Sequence, residues 1–341
     1  ENLIVNESLK ISKKEILDDF LLVNISRNIS YIGRKEVFMG RAKFGVFGDG
    51  KELPQIAMSK FFRNGDFRSG YYRDQTFMMS INQLTPDHFF AQLYAHTDIK
   101  KDPHSGGRQM NCHFGTRLLN EKGEWKTQTD MKNSASDISC VSGQMPRIVG
   151  LAYASKLYRN NKNLSDMENF SINGNEVVFG TIGDASTSEG HFWEAINACG
   201  VLQVPLVMSI WDDGYGISVP SEYHTSRNDL SKALSGFQRS SKKENGYEIF
   251  TVYAWDYINL LKTYQKAVKL AREEHVPCII HVKDVTQPQG HTTSGSHERY
   301  KSKKRLEWEK DFCCIKKMRE WIIENNFASN SEIESIERDA E

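Results

Sequence analysis

Two acidic residues carry the clearest chemical signal in the chain. Asp184 and Asp213 each follow an apolar run, residues 177–182 and residues 204–211, and each has a glycine beside it. Carboxylate oxygens are ligands that Mg²⁺ prefers, and the ion usually keeps phosphate or water among its ligands. A helix beginning near Ser188 would add amide donors for an anion. The same acids would also suit helix caps or loop solvation, so this spacing alone leaves both interpretations open.

The elements around these acids predict that they meet in space. Residues 177–182 are apolar without alternation, which is typical of a strand covered on both faces. From about Glu189 apolar residues recur at helical spacing, and residues 204–211 then read as a second buried strand. A right-handed crossover puts the ends of both strands at one edge of a parallel sheet. We therefore expect Asp184 and Asp213 to lie close together.

Three further polar segments are candidates for chemistry. Tyr72 and Arg73 precede a predicted helix, and arginine can hold phosphate through two hydrogen bonds, although such a pair is also common on ordinary surfaces. His113 lies in a glycine-containing segment without periodicity, where a core or capping histidine is the alternative. His291 lies in a polar loop after the apolar run 278–282, and it would bind phosphate, shuttle protons or be solvated.

A second acidic motif, Gly48, Asp49 and Gly50, repeats the letters GDG. It stands between short apolar segments, residues 43–47 and 53–58, and no acidic or amide pair follows it at the matching distance. A glycine-bearing turn explains it better than a metal motif does. We therefore predict a turn here and no metal site.

Composition narrows the class of protein. The 44 acidic and 44 basic residues balance, so charge indicates neither a nucleic acid nor a membrane surface as a partner. No apolar run approaches the roughly 20 residues that span a bilayer, and we expect no signal peptide. The six cysteines lack metal-ligand spacing, so reduced thiols are expected. We expect a soluble, cytoplasmic protein.

Alternation of buried strands with helices predicts an α/β fold, in which helices flank both faces of a parallel sheet. Along the chain we expect a helical and hairpin extension over residues 1–60, a binding domain over residues 61–300 and a helical segment over residues 301–341. No GxGxxG follows a strand, which argues against a nicotinamide-binding domain.

Five segments carry, in chain order, Tyr72 with Arg73, His113, Ser139, Asp184 with Asp213, and His291. Their residues and order resemble the alpha subunit of the thiamine-diphosphate-dependent first component of 2-oxo acid dehydrogenase complexes, particularly the branched-chain type. The resemblance covers residues 60–325 and extends the fold expectation to a thiamine-diphosphate-binding fold. In that family, GDG is followed by an asparagine pair. Here the matching positions hold Gly183, Asp184 and Ala185, and then Asp212 and Asp213.

The resemblance implies a set of site residues. Asp184, Asp213 and the Tyr215 carbonyl would bind magnesium. Thiamine diphosphate would lie against Tyr72, Arg73, Ser139, Val141, Gly183, Asp184, Ala185, Ser186, Asp213, Tyr215, Ile217 and His291. His113 and His291 match the histidines near the reacting groups. Ser142, Gly143 and Gln144 match positions where some members bind a structural potassium ion.

The departures from the family pattern also carry expectations. Ala185 replaces a glycine, and a carboxylate at Asp213 keeps a hard ligand but adds negative charge near Asp184. Our sequence-based hypothesis is that this charge tightens metal binding and disorders the loop when metal is absent. Trp211 stands where branched-chain members direct an arginine at the diphosphate, so one phosphate contact is expected to be missing.

Partners and activity also follow from the resemblance. The family decarboxylates a 2-oxo acid and passes the acyl group to lipoamide on an acyltransferase core. It acts as an α2β2 assembly in which the beta subunit supplies a catalytic glutamate. No segment here resembles the beta half, so we expect inactivity without a separate beta subunit or the beta half of a fused chain, of which this sequence would be a fragment. An acetoin dehydrogenase, a transketolase-like enzyme and a noncatalytic assembly module remain alternatives.

Overall fold

The computed structural model describes residues 2–293 and 295–341, and the elements below lie within these ranges. The strands are Asn2–Asn6 (β1), Leu9–Ser12 (β2), Phe67–Ser69 (β3), Asn133–Ser134 (β4), Val178–Gly183 (β5), Leu206–Trp211 (β6), Tyr215–Gly216 (β7), Val219–Pro220 (β8), Glu248–Tyr253 (β9) and Cys278–Lys283 (β10).

The α-helices lie between and after these strands. They are Lys13–Phe38 (α1), Glu52–Ser59 (α2), Gln75–Ser80 (α3), Pro86–Leu93 (α4), Met145–Asn160 (α5), Gly190–Leu202 (α6), Leu230–Ala233 (α7), Tyr257–Glu274 (α8), Lys303–Asp311 (α9), Cys314–Glu324 (α10) and Asn330–Asp339 (α11). None of the helices in the described ranges is long and apolar enough to cross a membrane.

The central sheet has the strand order β4-β3-β5-β6-β10-β9, and its neighbouring strands are parallel. The predicted βαβ unit is present, because β5 and β6 are neighbours connected through α6. Gly183 lies opposite Trp211 in the register, so Asp184 and Asp212 follow at adjacent strand ends. The predicted α/β class with a parallel sheet is confirmed.

Side chains of the central strands alternate between two hydrophobic cores. On β6, Met208 and Ile210 pack into the core shared with α5 and α6, whereas Val207 and Trp211 pack into the core shared with α1, α2 and α8. Helices therefore cover both faces of the sheet, as the uninterrupted apolar runs predicted. The second core extends from Val5 to Ile333, so both ends of the chain contribute to it.

The N-terminal region differs in detail from the sequence pattern. After the antiparallel hairpin of β1 and β2, a capping box of Ser12 and Glu15 begins the 26-residue helix α1. The sequence pattern favours two helices, around residues 16–23 and 27–35, and the structure joins them into α1. The predicted turn at Gly48 is present, closed by the Lys51 amide donating to the Gly48 carbonyl at 3.2 Å, and it leads directly into α2.

A buried arginine organises the loops that follow β3 and β4. Arg68, fully buried on β3, forms ion pairs with Asp74 at 2.7 Å and Asp137 at 3.0 Å. Its guanidinium also donates to the Tyr71 carbonyl at 3.0 Å, and Asp137 accepts the Phe114 amide at 2.9 Å. A buried charge needs such partners, and here they lie on two segments of the chain, with Asp137 extending the network to Phe114 on a third.

We expect Arg68→Met to destabilise the protein by about 3 to 5 kcal/mol, because it leaves two buried carboxylates without a counter-charge. The free energy of unfolding of Arg68→Lys should lie between those of Arg68→Met and the parent, because one ammonium cannot make all the hydrogen bonds of the planar guanidinium. Urea unfolding of the full chain, followed by circular dichroism, measures both changes.

The matched control is Arg319→Met, which removes the half-exposed ion pair with Glu337 at 3.1 Å. An exposed pair contributes about 0 to 1 kcal/mol, so this variant should unfold close to the parent. Equal losses for Arg68→Met and Arg319→Met would contradict the organising role of Arg68.

Candidate functional site

One edge of the sheet collects the residues that the sequence singled out. Because the strands are parallel, their carboxyl ends meet at this edge, which is where open α/β sheets bind ligands. Tyr72 and Arg73 follow β3, Ser139 and Val141 follow β4, Asp184 follows β5, Asp213 follows β6, and His291 lies beyond β10. Segments distant in sequence therefore meet at this edge.

Asp213 lies at the centre of the arrangement and is almost fully buried. Its Oδ1 accepts the Tyr215 amide at 3.2 Å. Its Oδ2 accepts from Lys51 Nζ at 3.1 Å and from His291 Nε2 at 3.0 Å. Burial disfavours the charged carboxylate, but the adjacent His291 and Lys51 outweigh burial and hold the pKa of Asp213 well below its usual range. Asp213 is therefore a carboxylate held by three donors.

Asp184 is equally buried but poorly paired. Its Oδ2 has no hydrogen-bond partner in the described part of the chain, and His224 Nε2 lies 3.9 Å away. Burial, together with the negative charge of Asp213, raises the pKa of Asp184 well above its usual range. A buried carboxylate oxygen without a donor, close to a second carboxylate, is an arrangement that a bound cation would stabilise.

The acidic residues fit a magnesium ion that shares its ligands with a phosphate group. Asp184 Oδ2 is unpaired within residues 2–293 and 295–341, and Asp213 Oδ1 accepts only one of the two bonds its lone pairs allow there. Across those same residues, no cluster of three or more His, Cys, Asp or Glu side chains surrounds a potential metal position. Two carboxylates plus non-protein oxygens match the way Mg²⁺ is usually bound.

A second group of side chains lies on the β3 and β4 side of the edge. His113 is buried, its ring stacks 6.0 Å from that of Tyr72, and its Nε2 lies 2.9 Å from Ser139 Oγ. Arg73 donates to the backbone carbonyls of Phe47 at 2.5 Å and of His291 at 3.0 Å. The guanidinium, predicted as a phosphate fork, thus also fixes the backbone of the loop that carries His291.

The remaining predicted residues differ in exposure and backbone conformation. Val141 and Ile217 are exposed apolar side chains, 44% and 55% accessible. Ile217 has φ +58°, a costly conformation for a β-branched residue that is typical of functional sites. Gly183 ends β5, and Ala185 and Ser186 form the turn that follows it. A Cβ on Gly216 would lie 2.7 Å from the Ala185 Cβ, so Gly216 accommodates the methyl group that replaces the family's glycine.

The segment suggested for potassium has one unpaired group. Ser142 has φ +63°, is buried, and its Oγ lacks a hydrogen-bond partner among the residues described. Gln144 Nε2 donates to the Thr181 carbonyl at 2.9 Å, and the Gly143 amide donates to the Cys140 carbonyl at 3.0 Å. These contacts connect the segment to β5, next to the acidic pair.

The sequence did not identify Lys51, Gln287 or His224 as site residues. Lys51 directly follows the Gly48–Asp49–Gly50 turn that we had set aside, and its Nζ also donates to Gln287 Oε1 at 2.6 Å. His224 lies in a polar segment without periodicity, which gave no signal. The position of Lys51 directly after this acidic glycine turn was the signal that could have identified it.

The structure also changes how the departures from the family pattern are understood. Our hypothesis treated Asp213 as an uncompensated charge, whereas Lys51 and His291 lie against it. Asp212 faces His281, with its Oδ2 2.7 Å from Nε2, so the two adjacent acids have different partners. Trp211 is fully buried, and its Nε1 lies 3.4 Å from Asp74 Oδ1. This tryptophan is therefore part of the core.

Comparison with known proteins identifies one family and relatives that are all alpha subunits of 2-oxo acid dehydrogenases. The chain matches the family described as dehydrogenase E1 component over residues 22–341. It is 24% identical over 324 residues to the mitochondrial 2-oxoisovalerate dehydrogenase subunit alpha of Homo sapiens, which covers 93% of this chain and 62% of the relative. The chain thus spans less than two thirds of the human relative's length.

Two bacterial relatives are similar over shorter stretches. The 2-oxoisovalerate dehydrogenase subunit alpha of Bacillus subtilis (strain 168) is 26% identical over 270 residues, covering 79% of this chain and 68% of the relative. The pyruvate dehydrogenase E1 component subunit alpha of Rickettsia bellii (strain RML369-C) is 28% identical over 199 residues, covering 58% of this chain and 53% of the relative.

We predict that the unpaired Asp184 lowers the stability of the protein without a cation and contributes to binding one. Burial raises the pKa of Asp184 in the folded protein, so this group costs no stability below the ordinary carboxyl pKa and an increasing amount as the pH rises towards its folded pKa. We expect Asp184→Asn to stabilise the protein by about 1 kcal/mol or more at pH 7.5 in chelator. The same variant should lose most of the stabilisation that added Mg²⁺ and inorganic pyrophosphate give the parent. Thermal unfolding with and without these additions measures both effects.

Asp229→Asn is the control, because this carboxylate already pairs with Lys283 at 2.8 Å and caps α7. It should lower stability slightly and keep the response to Mg²⁺ and pyrophosphate. If Asp184→Asn kept that response, Asp184 would not belong to a cation site.

Proposed function

Because the chain belongs to the dehydrogenase E1 component family, we propose that it is the alpha part of a 2-oxo acid dehydrogenase first component. It acts in the oxidative decarboxylation of a branched-chain 2-oxo acid or pyruvate. The 2-oxo acid takes up a proton and loses carbon dioxide, and a lipoyl disulfide is reduced as it accepts the acyl group. The observation that carries this proposal is the buried Asp184 with an unpaired oxygen beside Asp213, at the shared edge of β5 and β6.

In this proposal, Asp184, Asp213 and the Tyr215 carbonyl hold magnesium, which binds the diphosphate of thiamine diphosphate. When bound, the cofactor supplies a carbanion nucleophile and an electron sink, and the protein supplies orientation and electrostatics. The cofactor-binding set is Tyr72, Arg73, Ser139, Val141, Gly183, Asp184, Ala185, Ser186, Asp213, Tyr215, Ile217 and His291. Potassium at Ser142, Gly143 and Gln144 is supported by the unpaired Ser142 hydroxyl in the described structure.

The two histidines are proposed to act in proton transfer. Burial lowers the pKa of His291 against the opposing influence of Asp213, so its ring is neutral near pH 7. A neutral ring that donates from Nε2 to Asp213 has an acceptor at Nδ1, and this atom has no hydrogen-bond partner among the described residues. His291 Nδ1 can therefore take a proton at the reacting centre. His113 is oriented by Ser139 and by the Asn111 carbonyl, 3.1 Å from Nδ1.

A beta subunit, or the beta half of a fused chain, is proposed to complete the site in an α2β2 assembly. Exposed apolar side chains beside the site support a covering partner: Val141, Ile217, Val219 and Tyr223 are 44%, 55%, 44% and 76% accessible. The acyl group then passes to a lipoyl acyltransferase core. We also propose a cytoplasmic location and a 2-oxo acid as the small substrate, without a nucleic acid or membrane partner.

The decisive assay combines this chain with its beta part and a lipoylated acyltransferase domain. We expect carbon dioxide release from 3-methyl-2-oxobutanoate or pyruvate only when both parts, Mg²⁺ and thiamine diphosphate are present. Asp184→Asn should reduce the rate by about 100-fold, because a ligand of the ion is altered. Asp229→Asn should retain the rate of the parent.

The assay also separates the alternatives. Activity with acetoin, or ketol transfer between sugar phosphates without lipoyl acceptor, would replace the proposal with a different thiamine enzyme. Binding of the beta part without any binding of thiamine diphosphate would identify an assembly module instead.

A further inference from the structure

The feature that carries a further inference is the lysine beside Asp213. Lys51 is 1% exposed, and its ammonium contacts Asp213 Oδ2 at 3.1 Å and Gln287 Oε1 at 2.6 Å. Lysine is rarely buried to this extent unless it is paired. The contact with Asp213 joins residues 162 positions apart: Lys51 precedes β3, and Asp213 follows β6. No local pattern of the sequence requires this contact.

The turn before Lys51 is fixed in place by close packing. Gly50 has φ +96°, and a Cβ added there would lie 1.8 Å from the Thr286 carbonyl oxygen. Only glycine fits this approach, so the turn and the segment carrying Gln287 are in direct backbone contact. Asp49, in the same turn, pairs with Arg34 at 3.2 Å. The ammonium of Lys51 is consequently held at the site by the turn.

The hydrogen-bond pattern explains why aspartate and lysine belong together. An asparagine offers one acceptor oxygen and one donor NH₂, whereas both oxygens of an aspartate accept. Asp213 Oδ2 meets two donors, Lys51 and His291. If Oδ1 is the ligand oxygen, an asparagine at this position would place its NH₂ where Oδ2 lies. An NH₂ in that position would face these donors. The lysine therefore matches an aspartate and not an asparagine.

We propose that Lys51 is a positioning residue of the cation site, and that Lys51 and Asp213 together replace a single neutral amide ligand. This inference rests on the proposed function. The ammonium cancels the additional charge of Asp213 and holds Oδ2, so Oδ1 remains directed to the cation. With the lysine in place, the site keeps the net charge suited to an anionic diphosphate and its divalent ion.

A purely structural ion pair is the competing explanation. Such a pair would change the stability of the protein when it is broken, but it would not couple Lys51 to metal affinity. The measurement must therefore be binding, made without substrate or turnover. Mn²⁺, detected by electron paramagnetic resonance, is a suitable probe, alone and with inorganic pyrophosphate standing in for the diphosphate.

The test is a double-mutant cycle of Lys51→Met, Asp213→Asn and the double variant in the full chain. Asp213→Asn alone should weaken Mn²⁺ binding in the presence of pyrophosphate by about tenfold or more, because the amide must turn NH₂ toward either the donors or the ion. The single variant Lys51→Met leaves the site with more negative charge. It should therefore bind Mn²⁺ more tightly when no pyrophosphate is present, and bind Mn²⁺ with pyrophosphate more weakly.

The double variant should bind Mn²⁺ and pyrophosphate within about threefold of the parent. Without the ammonium, the neutral His291 ring can change tautomer and accept from the amide NH₂. Recovery in the double variant is the result that a structural ion pair does not produce. Additive losses in the cycle would overturn the role of Lys51 while leaving the proposed function intact.

Two further variants serve as controls, one for misfolding and one for the loss of an unrelated ion pair. Lys51→Gln keeps a donor for Asp213 and fills the same space, so it should fold and should reproduce the charge effect of Lys51→Met. Lys60→Met removes a different ion pair, with Asp19 at 2.8 Å, and should leave Mn²⁺ binding unchanged. If the parent failed to bind Mn²⁺ with pyrophosphate, both the proposed function and the role of Lys51 would be wrong.

Discussion

Two carboxylates buried at adjacent strand ends impose the main electrostatic constraint on this protein. Asp184 and Asp213 are brought together by the parallel pairing of β5 with β6, and their mutual repulsion has to be offset. The ammonium of Lys51 balances the charge of Asp213, and His291 donates a hydrogen bond to it. Asp184 has no comparable donor within the described residues, and this asymmetry favours the proposed cation site over a self-contained ion-pair network.

The surrounding loops are held by buried cations that act on the backbone. Arg68 connects the segments after β3 and β4 through Asp74 and Asp137, and Arg73 fixes the backbone at His291. These contacts place charged side chains at the edge of the sheet without leaving them mobile, because each guanidinium has several fixed acceptors. The site thus depends on interactions between loops as much as on the strands themselves.

Membership of the dehydrogenase E1 component family confirms the resemblance drawn from five sequence segments. It also gives meaning to the departures from the family pattern. Ala185 is accommodated by Gly216, and the carboxylate of Asp213 is balanced by Lys51. Each unusual residue is therefore accompanied by a structural partner that compensates for it, which favours a functional variant of the site over a degenerate one.

The sequence by itself determined the βαβ unit and its acidic ends. Apolar runs without alternation reported strands buried on both faces, and the fixed handedness of the crossover put Asp184 and Asp213 at one edge. Only the tertiary structure decided what surrounds them. Local periodicity shows which face of an element is buried, but not which distant segment covers it. Lys51 reaches Asp213 through a turn packed against Thr286, and that backbone contact has no counterpart in any sequence pattern.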